Sequence, residues 1–64
     1  MELKQLQYFR KAAKTKSISA AAEALYITQP ALSRCIKRLE EEVGASLLQR
    51  TSSGVELTAA GAAL

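Results

Sequence analysis

The sequence has no histidine or tryptophan, and only one cysteine and one proline, in 64 residues. With Cys35 as the only thiol, a disulfide within the chain and a cysteine-rich zinc site are excluded. Without histidine most pairings of a nucleophile with a general base are unavailable, so we expect no enzyme, no metal and no cofactor. No apolar run approaches the ~20 residues of a membrane span or forms a signal-peptide core, which favours a soluble protein in a reducing compartment without membrane partners.

The composition is that of a small, alanine-rich, mildly basic domain. Hydrophobic residues make up 48% of the chain, which is too many for intrinsic disorder. The formal net charge of +3 permits nucleic acid as a partner without requiring it. Because much of the apolar content is alanine, we expect helices packed closely on helices with few large anchors.

The most informative segment runs from Thr28 to Gly44 and predicts one helix, residues 29–43. Thr28 suits an N-cap, Pro30 falls in the first turn where its missing N–H costs nothing, and Gly44 suits the left-handed end. Steps of four, three and four residues predict a buried stripe of Leu32, Ile36, Leu39 and Val43. The outward face then consists of Pro30, Arg34, Lys37, Arg38 and Glu41, with Ser33 at its flank.

The charges on this helix are sorted along its axis. Cations occupy the first two-thirds, and Glu40, Glu41 and Glu42 end the helix, where acids oppose its dipole. A polyanion approached by the helix N-terminus explains this order, because phosphate is attracted there and the acids are held clear of it. A solvated face with Lys37–Glu41 and Arg38–Glu42 pairs is the alternative, and this helix alone does not decide between them.

Two shorter helices precede this segment. Residues 3–15 predict the first, with an inner stripe of Leu3, Leu6, Phe9 and Ala13. Ser19 is expected to cap the second, residues 20–26, whose alanines permit close packing. A short alanine-rich helix, a turn of three to four residues and a longer basic helix are typical of a helix-turn-helix, which favours DNA.

After Gly44 the pattern changes to strands. Residues 46–50 and 55–57 predict a hairpin with a loop at 51–54, in which Gly54 is free to take positive φ. Residues 46–57 would therefore form a wing, with Arg50 reaching a phosphate and Thr51 supplying a donor; Ser52 and Ser53 are expected to be solvated. Thr58 then caps a final helix over 59–64, too short to be stable alone. We expect this helix to continue in a longer parent protein.

These residues resemble a known family. Ser17–Leu25 (SISAAAEAL), Thr28–Arg34 (TQPALSR), Leu39–Glu40, Leu47–Leu48, Arg50 and Leu57–Thr58 follow the start of LysR-type transcriptional regulators. The resemblance covers essentially the whole chain. It implies a mainly α winged helix-turn-helix with three core helices, a two-stranded wing and the start of a linker helix, divided as residues 1–58 and 59–64. Five residues depart from the family pattern. Lys16 stands where glycine is frequent, Ile18 and Leu48 where phenylalanine is common, and Ala59 where glutamate is frequent, and Cys35 replaces a usually polar residue.

The resemblance also implies roles for individual residues. Those matching positions near base edges are Gln29, Pro30, Ser33 and Arg34. Those matching positions near phosphates are Thr28, Lys37 and Arg50, to which the wing argument adds Thr51. The chemistry agrees, because glutamine can pair with adenine and arginine with guanine in the major groove.

The partners follow from the same resemblance. They are double-stranded DNA with an interrupted dyad operator and, in the full-length protein, a second copy or higher oligomer in the bacterial cytoplasm. This fragment is expected to be a monomer or weak dimer without a cofactor, while the parent binds a small-molecule inducer through another domain. A winged-helix module for protein–protein interaction is the alternative function.

Overall fold

The structure, a computed structural model that describes residues 2–64, has three helices, a two-stranded antiparallel hairpin and a short fourth helix. This is the predicted winged helix-turn-helix. Its elements are α1 (Leu3–Thr15), α2 (Ile18–Ala24), α3 (Gln29–Val43), β1 (Leu48–Thr51), β2 (Gly54–Leu57) and α4 (Ala59–Ala63).

The buried face of α1 differs from the predicted stripe. Leu3 is 71% exposed, so its assignment was wrong, whereas Leu6 and Ala13 are partly buried. Burial of a glutamine is tolerated because the Gln5 side-chain oxygen accepts a 2.9 Å hydrogen bond from the backbone N–H of Glu2. The spacing of apolar residues cannot predict the burial of a polar side chain that caps its own helix. The buried residues of α1 are Gln5, Phe9 and Ala12.

The second helix begins and ends two residues earlier than predicted. The Ser17 hydroxyl accepts a 3.2 Å hydrogen bond from the N–H of Ala20, so Ser17 and not Ser19 is the N-cap. The helix ends at Ala24 instead of Tyr26. Both serines suit an N-cap by residue type, and the sequence did not show which one follows the left-handed residue that ends α1.

A Schellman motif connects α2 to α3. The N–H of Ile27 donates to the carbonyl of Ala22 at 3.0 Å, and the N–H of Tyr26 donates to that of Glu23 at 3.2 Å. Tyr26 takes the required left-handed conformation at φ 59°. The connection spans residues 25–28, as predicted for a helix-turn-helix.

The caps of α3 are confirmed. The Thr28 hydroxyl accepts a 3.2 Å hydrogen bond from the N–H of Ala31, and Gly44 ends the helix at φ 80°. Three of the four stripe residues are buried: Leu32, Ile36 and Leu39. The fourth, Val43, is 36% exposed, so its predicted burial was wrong.

Alanines bring α2 against both longer helices. Ala21 and Ala22 are buried, and the cluster that contains them also includes Ala12 of α1 and Leu32 and Ile36 of α3. A second cluster joins α1 and α3 to the segment before the wing, and consists of Phe9, Leu39 and Leu47. Leu48 packs against both clusters and so makes the core continuous.

A carboxylate on α3 fixes the start of the wing. One oxygen of Glu40 accepts hydrogen bonds from the backbone N–H groups of Leu47 at 2.8 Å and Leu48 at 3.3 Å. The charge pattern predicts that Glu40 is held clear of a polyanion together with Glu41 and Glu42, and it does not predict this contact with the wing. Glu41 and Glu42 remain exposed at the end of the helix.

The hairpin is shifted and tighter than predicted. Its register pairs Leu48 with Leu57 and Thr51 with Gly54, which leaves a two-residue tip at positions 52–53 instead of a loop at 51–54. The first strand starts at Leu48, not at position 46. The Thr58 N–H donates to the Leu47 carbonyl, which extends the register of the hairpin by one hydrogen bond. Gly54 has the predicted positive φ, at 143°.

The fourth helix is capped as predicted. The Thr58 hydroxyl oxygen accepts a 3.0 Å hydrogen bond from the N–H of Gly61. The same hydroxyl donates to the Ser46 carbonyl. The start of α4 is therefore attached to the segment that leads into the wing.

We predict that a larger side chain at position 21 destabilises the fold. Ala21→Leu should lower the free energy of unfolding by about 1–3 kcal/mol, because Ala21 is fully buried where α2 meets α1 and α3. Urea unfolding followed by circular dichroism measures this. Ala24→Leu is the matched control on the exposed side of α2 and should stay within about 0.5 kcal/mol of wild type. Equal effects of the two substitutions would contradict the packing described.

We also predict that Glu40 stabilises the fold. Glu40→Ala should cost about 1.5–3 kcal/mol, because two backbone N–H groups lose a charged acceptor. Glu40→Gln keeps an accepting oxygen without the charge and should cost less. Thermal unfolding of the two variants and of Glu41→Ala, an exposed neighbour, makes the comparison. An Ala variant as stable as wild type would show that Glu40 does not anchor the wing.

Candidate nucleic-acid interface

The predicted contact residues of α3 lie on its outward face. Gln29, Pro30, Arg34 and Lys37 are exposed, and Ser33 is partly buried at the flank, as the helical period requires. The Thr28 hydroxyl accepts the Ala31 N–H and retains its own proton for donation to another acceptor. The beginning of α3 thus presents amide, hydroxyl and guanidinium donors together.

A cleft between α3 and the wing brings contact residues of two elements together. Ser33 and Lys37 line it from α3, and Arg50 lines it from β1. The buried side chains of Ile36 and Val55 form part of its apolar lining. Three of the eight predicted contact residues therefore meet at one place.

The register of the hairpin explains how Arg50 reaches this cleft. Arg50 is directly opposite Val55, and opposed residues of an antiparallel pair project from the same face of the sheet. Val55 is buried on that face, whereas Arg50 is exposed. A long side chain can cover apolar surface with its stem and keep its charge in water, which suits an arginine beside a phosphate.

The tip of the wing has its own hydrogen bonds. The Thr51 hydroxyl oxygen accepts a 3.3 Å hydrogen bond from the N–H of Ser53. Thr51 is partly buried, while Ser52 and Ser53 are exposed, as predicted for the two serines. The Thr51 and Thr28 hydroxyls thus each accept one backbone N–H, and each retains its proton for donation.

Acidic and basic residues are separated along α3. A shallow surface near the end of the helix is lined by Arg38, Glu41 and Glu42 together with Glu2 of the α1 N-cap. Arg38 thus lies among carboxylates, whereas Lys37 and Arg50 line the cleft. The lining of the cleft also includes Glu40, whose carboxylate accepts the backbone N–H groups at the start of the wing.

Cys35 has the environment of an inert thiol. It is partly buried, and burial raises the pKa of the Cys35 thiol above its ordinary value. The Glu2 carboxylate raises this pKa further, and Arg38 and Lys4 only partly offset these effects. A thiol with a raised pKa is a poor nucleophile at neutral pH, which supports a packing role.

Neither a metal centre nor a membrane span is found in the described part of the chain. Among residues 2–64 no cluster of three or more histidine, cysteine or acidic side chains is arranged to hold a metal ion. Within the same range, each helix is too short or too polar to cross a bilayer.

Comparisons with known proteins agree with this geometry. The sequence model of the family described as "Bacterial regulatory helix-turn-helix protein, lysR family" matches residues 3–62. The HTH-type transcriptional regulator BudR of Klebsiella aerogenes is 56% identical over 63 residues, which cover 98% of this chain and 44% of BudR.

Solved structures give the same result. The structure is similar to that of the CbnR DBD–DNA complex, with a TM-score of 0.92, 44% identity, and coverage of 98% of this chain and 72% of that one. It is also similar to Vibrio fischeri DarR in complex with DNA, with a TM-score of 0.92, 48% identity, and coverage of 98% and 22%.

The chain spans less than half the length of the curated relatives it matches, for example 44% of BudR. The family match nevertheless covers nearly all of the chain, and the fold is that of DNA-binding domains in the same family. The chain therefore belongs to the lysR family of bacterial regulatory helix-turn-helix proteins and is a DNA-binding domain of that family.

Proposed function

We propose that the domain binds double-stranded DNA with the first half of α3 in the major groove and the wing on the adjacent backbone. The observation that carries this docking mode is the cleft shared by Ser33, Lys37 and Arg50. Lys37 of α3 and Arg50 of β1 both line this cleft, and two neighbouring cations suit a ligand with closely spaced negative charges. Duplex DNA has one negative charge per ~1.7 Å of its axis.

The start of α3 is proposed to read bases. Gln29 and Arg34 have the donor and acceptor pattern for adenine and guanine edges, and Pro30 and Ser33 provide apolar and hydroxyl contacts beside them. All four lie on the outward face, and Ser33 also lines the cleft. The exposed position of Gln29 at the first helical residue supports this role, because recognition helices insert by their N-terminal residues.

Phosphates are proposed to bind on both sides of this helix. Lys37 and Arg50 supply charge from the cleft, and Thr28 supplies a hydroxyl at the N-terminus of α3, where the helix dipole also favours an anion. Thr51 is proposed to add a hydroxyl donor from the wing, because its oxygen accepts from the loop and its proton remains available, as at Thr28. These contacts orient the protein without reading sequence.

For the whole protein we propose a cytoplasmic bacterial regulator that acts as a dimer or higher oligomer on an interrupted dyad operator. Residues 1–58 would form its DNA-binding domain, and residues 59–64 would begin a linker helix used for dimerisation. A small-molecule inducer would bind in another domain. The fragment alone would be a monomer or weak dimer.

A protein–protein interaction module is the competing function. The outward face of α3 argues against it, because this face offers glutamine, serine and cations where an interface core would have aromatic or aliphatic anchors. The salt dependence of binding distinguishes the two functions, because the release of counterions from DNA makes the affinity for DNA fall steeply with salt concentration.

The test of the proposed function is a salt titration of binding to random duplexes, followed by sequencing of the bound fraction. We expect a steep loss of affinity with salt and enrichment of a half-site. Binding that does not respond to salt would favour a protein interface, and absence of binding at low salt would contradict DNA recognition by this domain.

We predict that Arg50→Ala weakens binding to all duplexes alike. The slope of log affinity against log salt should become smaller by about 0.9, the value of one phosphate contact. Arg38→Ala is the matched control, because it removes an equal charge from a surface lined by carboxylates. Equal slopes for wild type and Arg50→Ala would remove the wing arginine from the interface.

We predict a different result for Gln29→Ala. Loss of the glutamine side chain should lower the preference for one base at one base pair by about 1–3 kcal/mol. The affinity for unrelated sequences should stay nearly unchanged. Selection from random duplexes with each protein measures this. If the variant instead bound every sequence more weakly by the same factor, Gln29 would be a backbone contact.

A further inference from the structure

We propose that Lys16, in the turn between α1 and α2, is a further phosphate-binding residue that extends the DNA contact across the wing. This inference rests on the proposed docking of α3 and the wing. Lys16 is exposed, and none of the contact residues assigned above comes from this turn.

The backbone of Lys16 is fixed on both sides. Its N–H donates a 2.9 Å hydrogen bond to the Ala12 carbonyl at the end of α1. Its carbonyl accepts a 3.1 Å hydrogen bond from the N–H of Val55 in the wing. Lys16 also has a left-handed backbone, at φ 59° and ψ 22°, which residues other than glycine seldom adopt. The turn is therefore held in a defined position against β2.

The wing is shaped to receive this turn. Gly54 has φ 143°, and a Cβ atom at this position would lie 2.1 Å from the Lys16 carbonyl oxygen. Only glycine allows the two backbones to approach so closely. The contact joins the turn to β2 one residue beyond the tip, near the part of the wing proposed to meet DNA.

The same contact relates Lys16 to the cleft. Val55 has Arg50 on one side across the ladder and Lys16 on the other. The Lys16 turn and the Arg50 strand therefore lie on opposite edges of β2. Ile18, two residues after Lys16, lines the cleft together with Arg50 and Lys37.

The chemistry of the side chain suits this contact. A lysine ammonium is a compact charge on a flexible stem and binds phosphate without a fixed geometry. The alternative role is purely structural, because a cation at the end of α1 also interacts favourably with the helix dipole. A structural role would affect unfolding and leave the salt dependence of DNA binding unchanged.

The test uses charge-removing variants that affect the backbone differently. Lys16→Gln removes the charge and keeps the strained conformation, whereas Lys16→Gly removes the charge and relieves that strain. Both should lower the salt slope for random duplexes by about 0.9, which corresponds to about eightfold weaker binding at 0.1 M salt. Lys16→Arg should retain the wild-type slope. Lys14→Gln is the matched control, because Lys14 lies on a separate groove of α1 and α2.

Thermal unfolding of each variant separates binding from folding. A lower slope for both Lys16→Gln and Lys16→Gly, with Lys14→Gln like wild type, would support the proposal even if the two differ in stability. A wild-type slope for both Lys16 variants, measured while Arg50→Ala lowers it, would overturn the Lys16 contact and leave the proposed function intact. Failure of the wild-type protein to bind DNA would overturn both.

Discussion

The geometry of the proposed DNA-binding surface depends on the Glu40 carboxylate. This side chain projects from α3 and accepts hydrogen bonds from the backbone N–H groups of Leu47 and Leu48, where the wing begins. In a small domain with few buried side chains, a charged acceptor for two backbone amides contributes substantially to stability. It fixes the distance between the helix that enters the groove and the hairpin beside it.

The second strand of the wing is held against the α1–α2 turn by a backbone contact. The Lys16 carbonyl accepts from Val55, and Gly54 leaves room for that approach. The hairpin is thus attached to α3 at its start and to the α1–α2 turn near its tip. A two-stranded hairpin is at best marginally stable alone, so these attachments are what make it a fixed part of the binding surface.

The sequence predicted the fold and most of the proposed interface because the signals were local. Thr28, Pro30 and Gly44 define α3, and its apolar spacing determines which face points outward. The errors arose where a tertiary contact decided the outcome. Ser17 and Ser19 were equally suitable by residue type as the N-cap of α2, and only Ser17 has this role. Gln5 is buried because its side chain accepts a hydrogen bond at the start of α1. The Glu40 carboxylate binds backbone amides seven and eight residues away, and backbone amides carry no sequence signal. The position of Lys16 beside the wing likewise depends on a long-range hydrogen bond.

The most direct test is a titration of the isotope-labelled domain with duplex DNA. The backbone amide resonances in nuclear magnetic resonance spectra monitor binding at each residue. We predict that the largest salt-sensitive shifts occur in the first half of α3, in the wing and in the α1–α2 turn, while the end of α3 around Glu41 and Glu42 changes little. Shifts concentrated at that acidic end, with the wing and the start of α3 unchanged, would contradict the proposed DNA-binding surface.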